Sequence, residues 1–241
     1  MKNIIIIGAN QGIGKGICDI FSKKIDTNII ATSRCYTDEL TGSDRLWKIN
    51  CDITSEHSID NFHSQITDKF SHIDGIINCA GLLHTIDYLP EKSISQISKK
   101  QLSENYQINA MGHLLLLKIM EKKLAKSNNP FAVSISARIG SIKDNHLGGW
   151  YSYRMSKAAL NMGFKTLEIE WKRKYPHIKL MLIHPGTTDT NLSKPFQKRL
   201  KKGQLHSIEQ TSENIINQIE KKMNGQLQPL FVDFEGLSIE W

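Results

Sequence analysis

Hydrophobic residues along this chain fall into two kinds of pattern. Short continuous runs rich in β-branched residues are typical of strands buried on both faces of a parallel sheet. Between these runs, apolar residues recur every three or four positions, as on amphipathic helices. The runs predict strands at residues 4–7, 28–32, 46–49, 73–77, 131–136, 179–183 and 230–234.

Helices are predicted between most of these strands. The first begins near Gly12, and the second follows an N-terminal cap at Thr54 or Ser55. A long one covers residues 101–126, with Asn109 as a poor helix former in its interior, where it suggests a bend or a polar role. Alternating strands and helices predict an α/β fold, a Rossmann-type doubly wound parallel sheet of about seven strands. We expect one dinucleotide-binding domain over residues 1–241.

A glycine-rich turn joins the first strand to the first helix. It contains Gly8, Gly12 and Gly14 together with Asn10, Gln11 and Ile13. Glycines let the backbone approach a pyrophosphate, and the helix N-terminus supplies N–H groups to bind it. The alternative is a tight turn without a ligand, and the strand and helix on either side favour the dinucleotide site.

Further polar or small residues follow the carboxyl ends of the other strands, where ligands bind in such sheets. Arg34 follows the second strand, and residues 28–37 contain no acid. An arginine there accommodates a 2′-phosphate, so NADP(H) is favoured over NAD(H). The other strand-end features are Asp52, Asn78 with the small residues after it, Ser136, and Pro185–Gly186.

Tyr153 and Lys157 lie four residues apart on a predicted helix and therefore share one face. An ammonium beside a phenol favours the phenolate and lowers the tyrosine pKa, which makes a general acid/base. In isolation the pair is more often an ordinary surface pair. The nucleotide turn and strand-end features favour a catalytic role here.

Composition restricts the expected cellular location and the expected binding partners. The start of the chain does not resemble a secretory signal, and no apolar run approaches a membrane span. Four scattered cysteines indicate reduced thiols in the cytoplasm and no metal site. The net charge of +7 comes partly from basic runs at 172–174 and 198–202, interpreted as solvated surface, so a nucleic-acid partner is not expected.

Together these motifs resemble the short-chain dehydrogenase/reductase family, and locally its branch containing C-factor and the sniffer-like carbonyl reductases. The matching residues are Gly8, Gly12, Gly14, Asp52, Ile53, Asn78, Cys79, Ala80, Gly81, Asn109, Tyr153, Lys157, Pro185, Gly186 and Thr190. The resemblance implies hydride transfer between nicotinamide C4 and a carbonyl carbon of a small carbonyl or alcohol substrate. It also implies a homodimer or homotetramer.

The resemblance assigns roles to single residues. Tyr153 exchanges the proton with the substrate oxygen, Lys157 lowers the tyrosine pKa and binds the nicotinamide ribose, and Asn109 holds a water. The remaining assignments concern the cofactor: Gly8, Gly12 and Gly14 at the pyrophosphate, Asp52 and Ile53 at the adenine, Asn78 to Gly81 at the adenosine-side ribose, and Thr187 and Thr190 at the carboxamide.

One position departs from the family pattern. The usual serine pair after the fifth strand is Ser136-Ala137 here, so a methyl group replaces the expected hydroxyl. Ser136 or Ser141 is expected to orient the carbonyl, or neither does. In the last case the alternatives to an NADP(H)-dependent carbonyl reductase of ordinary activity are a slow reductase and a cofactor-binding regulatory protein of the C-factor type with little catalytic role.

Overall fold

The computed structural model describes residues 1–36 and 44–241. Its strands are β1 (Lys2–Ile7), β2 (Thr27–Ser33), β3 (Leu46–Asn50), β4 (Gly75–Asn78), β5 (Phe131–Ile135), β6 (Lys179–His184), β7 (Thr187–Thr188), β8 (Leu205–His206) and β9 (Phe231–Asp233). Its α-helices are α1 (Gly12–Phe21), α2 (Glu56–Lys69), α3 (Lys99–Tyr106), α4 (Gly112–Ala125), α5 (Tyr151–Lys174) and α6 (Ile208–Met223).

Seven of the strands form one sheet in the order β3-β2-β1-β4-β5-β6-β9, and all of its pairings are parallel. The prediction of a Rossmann-type α/β fold with about seven strands is confirmed. The remaining two strands, β7 and β8, pair with each other and frame the segment between them. That segment contains a 3₁₀ helix at Lys194–Arg199.

The isoleucine run of β1 explains how the sheet is covered. Ile5 and Ile7 face the core formed with α2, α4 and α5, whereas Ile4 and Ile6 face the core formed with α1 and α6. Successive side chains on a strand point to opposite faces, so a continuous apolar run is buried on both sides. The sheet is therefore a middle layer between two layers of helices.

The helix predicted at 101–126 is interrupted. A π-helical turn, Gln107–Met111, separates α3 from α4, and Asn109 lies within it. The suggested bend or polar role at Asn109 corresponds to this turn. Single π-helical turns widen a helix locally and are frequent at functional sites.

No helix among the described residues is both long and apolar enough to cross a membrane. Within the same residues, no group of three potential acidic, histidine or cysteine ligands is arranged to hold a metal ion.

Candidate active site

The glycine-rich turn has the shape that a pyrophosphate requires. Gly8 and Gly12 have φ angles of +75° and +54°. A Cβ atom on Gly14 would lie 2.3 Å from the Gly8 carbonyl oxygen, so the helix can start this close to the strand only with glycine at position 14. The cap residue Gln11 makes no side-chain capping bond, and the first turn of α1 carries no acid. Its N–H groups therefore suit an anionic ligand.

The residues predicted for the adenosine end follow β2 and β3. Arg34 is exposed directly after β2, and Asn10 is exposed on the glycine turn. The Asp52 carboxylate accepts hydrogen bonds from the backbone N–H and hydroxyl of Thr54, at 2.9 and 2.7 Å. Ile53 is buried, and its side chain packs where a Cβ on Gly112 would lie. The Ile53 side chain thus belongs to the core.

The end of β4 lies beside the glycine turn. Asn78 accepts a hydrogen bond from the Ala80 N–H at 3.0 Å, while its buried Nδ2 has no protein partner among the described residues. An unpaired buried donor is costly, and a ligand can satisfy it. A Cβ on Gly81 would lie 3.9 Å from the Lys157 Nζ atom, so this backbone leads towards the tyrosine and lysine pair.

The segment after β6 closes the other side of the site. Gly186 follows Pro185 with a φ of +75°. Thr187 begins β7, and the Thr190 methyl group lies 3.3 Å from where a Cβ on Gly12 would be. The structure therefore brings the predicted cofactor residues from both halves of the chain to one edge of the sheet. The close backbone approach at the glycine turn and the unpaired Asn78 Nδ2 atom fit a nucleotide cofactor. The assignment of single residues to its phosphates, its adenosine end and its nicotinamide end stays a prediction.

Tyr153 and Lys157 are both buried on α5, at 9% and 2% exposure. The Lys157 Nζ atom lies 5.9 Å from the centre of the Tyr153 ring and donates a hydrogen bond to the Ile135 carbonyl oxygen at 2.8 Å. Burial lowers the Lys157 pKa to about 7, against the opposing effect of Cys79. Burial also raises the Tyr153 pKa. The lowering of the tyrosine pKa by Lys157 would have to act against this effect of burial, and it stays a prediction.

Asn109 is bound entirely by protein groups. Its Oδ1 accepts from the Leu82 N–H at 2.7 Å, and its Nδ2 donates to the Leu82 carbonyl at 2.7 Å, to Asn105 at 3.2 Å and to Ser156 at 3.0 Å. Its side chain therefore ties the loop after β4 to helix α5. The role of Asn109 in holding a water remains a prediction.

The two candidate serines have other partners. The Ser136 hydroxyl donates to Asn161 at 2.6 Å, and the Ser141 hydroxyl accepts from the Asp144 N–H at 3.1 Å. Among the described residues, neither hydroxyl forms a hydrogen bond with Tyr153. It is Ala137, between them, that packs in one apolar cluster with Tyr153.

This Tyr153 cluster is the apolar surface around the phenol. Its buried members are Leu83, Ala137 and Tyr153, and Ile139, Trp150, Leu192 and Phe196 pack against them. The ring centres of Trp150 and Phe196 are 4.8 Å apart, and those of Trp150 and Tyr153 are 6.4 Å apart. The partly buried aromatic residues extend the cluster to the surface, where His84 packs edge-on against Phe196.

Sequence reasoning missed a buried carboxylate at the start of α5. Glu91 is 2% exposed, and its carboxylate accepts hydrogen bonds from the backbone N–H and hydroxyl of Ser152. Its backbone carbonyl accepts from the Trp150 N–H at 2.5 Å. Trp150 has a φ of +55°, the one positive value for a non-glycine residue in the described chain. A helix N-terminus favours an acid, but the sequence offers no local signal because Glu91 lies 61 residues before Ser152.

The fold and these residues define a class: a parallel α/β protein with a dinucleotide site that adjoins a tyrosine and lysine pair. The family model for short chain dehydrogenase matches residues 2–201. The chain belongs to the short-chain dehydrogenase/reductase family of oxidoreductases.

Its curated relatives are distant but extensive. The chain is 26% identical to the 1-hydroxy-2-glutathionyl-2-methyl-3-butene dehydrogenase of Rhodococcus sp. (strain AD45), over the full length of both. It is 27% identical to a benzil reductase ((S)-benzoin forming) of Bacillus cereus, covering 83% of this chain and 81% of that protein. It is 25% identical to the C-signal protein of Myxococcus xanthus, covering 70% and 93%.

Solved structures confirm the fold. The NADPH-bound carbonyl reductase from chicken fatty liver superposes with a TM-score of 0.84 at 22% identity, covering 100% of this chain and 99% of that one. The carbonyl reductase Sniffer of D. melanogaster gives 0.81 at 20% identity, with both chains covered fully. The resemblance to the branch of C-factor and the sniffer-like carbonyl reductases is confirmed.

Proposed function

We propose that this protein is an NADP(H)-dependent carbonyl reductase that also catalyses the reverse reaction, as an alcohol dehydrogenase. The observation that carries the proposal is the position of Tyr153, buried in an apolar cluster and 5.9 Å, ring centre to Nζ, from Lys157. Relatives named benzil reductase, and neighbours named carbonyl reductase, support carbonyl reduction.

When bound, the dinucleotide supplies or accepts a hydride. The protein supplies the rest. Tyr153 gives its hydroxyl proton to the oxygen of the carbonyl as that oxygen gains charge. Lys157, whose pKa is about 7, carries charge part of the time at neutral pH and can replace the lost proton. The Tyr153 cluster excludes water from the reacting carbonyl.

The test is NADPH oxidation, followed by absorbance, against a panel of aldehydes, ketones and quinones. Turnover of at least one carbonyl compound is expected. A protein that binds NADPH but turns over none of the panel contradicts the proposal.

The preference for NADP(H) rests on Arg34, exposed after β2 where a 2′-phosphate would lie. Arg34→Asp should weaken NADPH binding about tenfold or more while changing NADH binding little, since a charge-assisted hydrogen bond is lost. Lys23→Asp makes the same charge change at another exposed position and should leave the ratio of affinities unchanged. An unchanged ratio in Arg34→Asp would remove the basis for the preference.

The predicted homodimer or homotetramer remains a proposal. It is supported by exposed apolar residues at seven-residue spacing along α5, namely Met155, Met162 and Ile169. A second copy of the chain could cover this stripe, and the mass in solution tests it. The predicted cytoplasmic location is supported by four free cysteine thiols.

A regulatory role is the second candidate, favoured by the similarity to the C-signal protein. In that case the protein binds NADP(H), and Tyr153→Phe retains full function in a cellular assay. A Tyr153→Phe variant that fails in cells as it fails in the reductase assay would contradict this candidate.

A further inference from the structure

Ala137 contributes a methyl group to the apolar cluster around the proposed proton donor. Ala137 is 9% exposed and packs in the Tyr153 cluster, at the position where the sequence pattern leads one to expect a hydroxyl. Neither of the two candidate serines forms a hydrogen bond with Tyr153 among the described residues. Ser136 donates to Asn161, and the Ser141 hydroxyl is bound by the N–H of Asp144.

The hydroxyl of Ser136 is fixed by Asn161, and the side chain of Asn161 is itself fixed by a second hydrogen bond. Asn161 accepts from Ser136 with Oδ1 and donates with Nδ2 to the Gly140 carbonyl at 3.3 Å. A Cβ on Gly140 would lie 2.8 Å from the Lys157 Cβ, so the turn that follows Ala137 is pressed against α5. Turning the Ser136 hydroxyl towards Tyr153 would leave a buried amide oxygen unpaired.

A single donor aimed at a developing oxyanion is worth about 10²–10³ in turnover in other enzymes. With Ala137 in place, the position that the family pattern gives to a hydroxyl carries a methyl group, and Tyr153 provides the hydroxyl in this apolar cluster. The Trp150 indole N–H is the other donor, on a half-buried ring at the edge of the cluster. A carbonyl reduced here therefore needs electron withdrawal from its own substituents.

We propose that this site reduces activated carbonyls that carry an aryl group, such as 1,2-diketones. Ala137 makes the site discriminate against simple ketones. The inference rests on the proposed reductase function. The neighbouring carbonyl of a diketone withdraws electrons and makes hydride addition easier without a second protein donor. Trp150, Phe196 and His84 supply aromatic faces on which an aryl ring can stack.

The reaction balances with the groups already named. One hydride from the reduced dinucleotide adds to one carbonyl carbon, and its two electrons become the new C–H bond. The C=O π electrons move to the oxygen, which takes the Tyr153 proton. The products are an α-hydroxy ketone and the oxidised dinucleotide, and Lys157 returns to Tyr153 a proton that is taken up from solvent.

Benzil and deoxybenzoin (1,2-diphenylethanone) form a matched pair of probes. Both carry two phenyl rings, and deoxybenzoin lacks only the second carbonyl. Their dissociation constants, measured by quenching of tryptophan fluorescence, should agree within about threefold because the rings make the contacts. The wild-type kcat with NADPH should be about 100-fold or more higher for benzil.

Ala137→Ser restores the hydroxyl. It should raise kcat for deoxybenzoin about tenfold or more and kcat for benzil less than about threefold. Ala137→Gly has no hydroxyl and should keep the wild-type ratio, and Ala125→Ser, at the far end of α4, should change neither rate. Thermal melting of each variant shows whether it is folded. If Ala137→Ser does not fold, the ratio of kcat for benzil to kcat for deoxybenzoin, measured in wild type and in Ala137→Gly, tests the inference.

The outcomes separate this inference from the proposed function. Equal wild-type kcat for the two probes, or a rise of the same size for both in Ala137→Ser, overturns the inference and leaves the reductase intact. Loss of benzil turnover in Trp150→Phe also overturns it, because the indole N–H would then supply the second donor. A protein that turns over no carbonyl compound refutes the reductase itself.

Discussion

The carboxylate of Glu91 caps the helix that carries Tyr153, through hydrogen bonds from the backbone N–H and hydroxyl of Ser152. Because the Glu91 carbonyl also accepts from the Trp150 N–H, one residue of the loop after β4 fixes the start of α5. The left-handed backbone of Trp150 is held from this side, and strained residues persist only where their surroundings hold them. The loop therefore determines where Tyr153 and Trp150 lie.

Glu91→Ala should lower the free energy of unfolding by about 2–3 kcal/mol, since two buried donors on Ser152 lose a charged partner. Reductase activity should fall more than NADPH affinity, because the displaced residues are Trp150 and Tyr153. Chemical denaturation and kcat measurements check both.

Glu91→Gln keeps the shape and acceptor oxygen and should recover part of the stability. Glu213→Ala, on an exposed face of α6, is the matched control and should lie within about 0.5 kcal/mol of wild type. If Glu91→Ala were as mild as Glu213→Ala, the capping role would be refuted.

Asn109→Ala should weaken both the π-helical turn and the loop that binds it. Four hydrogen bonds to Leu82, Asn105 and Ser156 are lost, and the expected destabilisation is about 2–3 kcal/mol. Because Leu83 packs in the Tyr153 cluster next to the released Leu82, kcat should fall as well. Denaturation and steady-state kinetics on the same samples provide the measurement.

Gln107→Ala is the matched control for Asn109→Ala. Gln107 lies in the same turn and is exposed, so its loss should change little. Equal effects of the two substitutions would show that the turn, and not the Asn109 contacts, matters.

Stability should fall as the pH drops from about 6.5 to about 3. His113 is buried between the Ser134 hydroxyl and the Ala80 carbonyl, and burial, with the charge of Lys157, lowers its pKa to about 3. An unfolded histidine takes up its proton near pH 6.5. Between these values the unfolded chain binds more protons, so the free energy of unfolding decreases with falling pH, by a few kcal/mol.

Denaturation curves at pH 7, 5 and 4 check this dependence. His113→Gln should be less stable at pH 7 and should show a shallower decrease towards pH 4. The exposed His146→Gln should follow the wild-type curve. His184, with a pKa lowered to about 4, contributes a similar decrease in every variant. An identical slope in His113→Gln and wild type would rule out His113 as the source.

The parts of this fold that the sequence predicts are those with local causes. The β-branched run of β1 and the glycines at 8, 12 and 14 determine their own conformations, and Ser55 caps α2 through a bond to Ser58, three residues on. The paired strands then bring separate strand ends to one edge.

The features missed have distant causes. Ser136 faces Asn161 because α5 packs on the turn after β5, a contact 25 residues apart. The cap from Glu91 spans 61 residues. The pKa directions of Tyr153 and Lys157 depend on burial, which the spacing of two residues on a helix does not reveal.

The proton donor can be tested directly by a single turnover with NADPH and benzil in wild type and Tyr153→Phe. Tyr151→Phe, two residues earlier on the same helix, is the matched control. The account predicts that Tyr153→Phe binds NADPH within about threefold of wild type and transfers hydride about 10²–10⁴-fold more slowly, with Tyr151→Phe close to wild type. Hydride transfer at the wild-type rate in Tyr153→Phe would contradict the account.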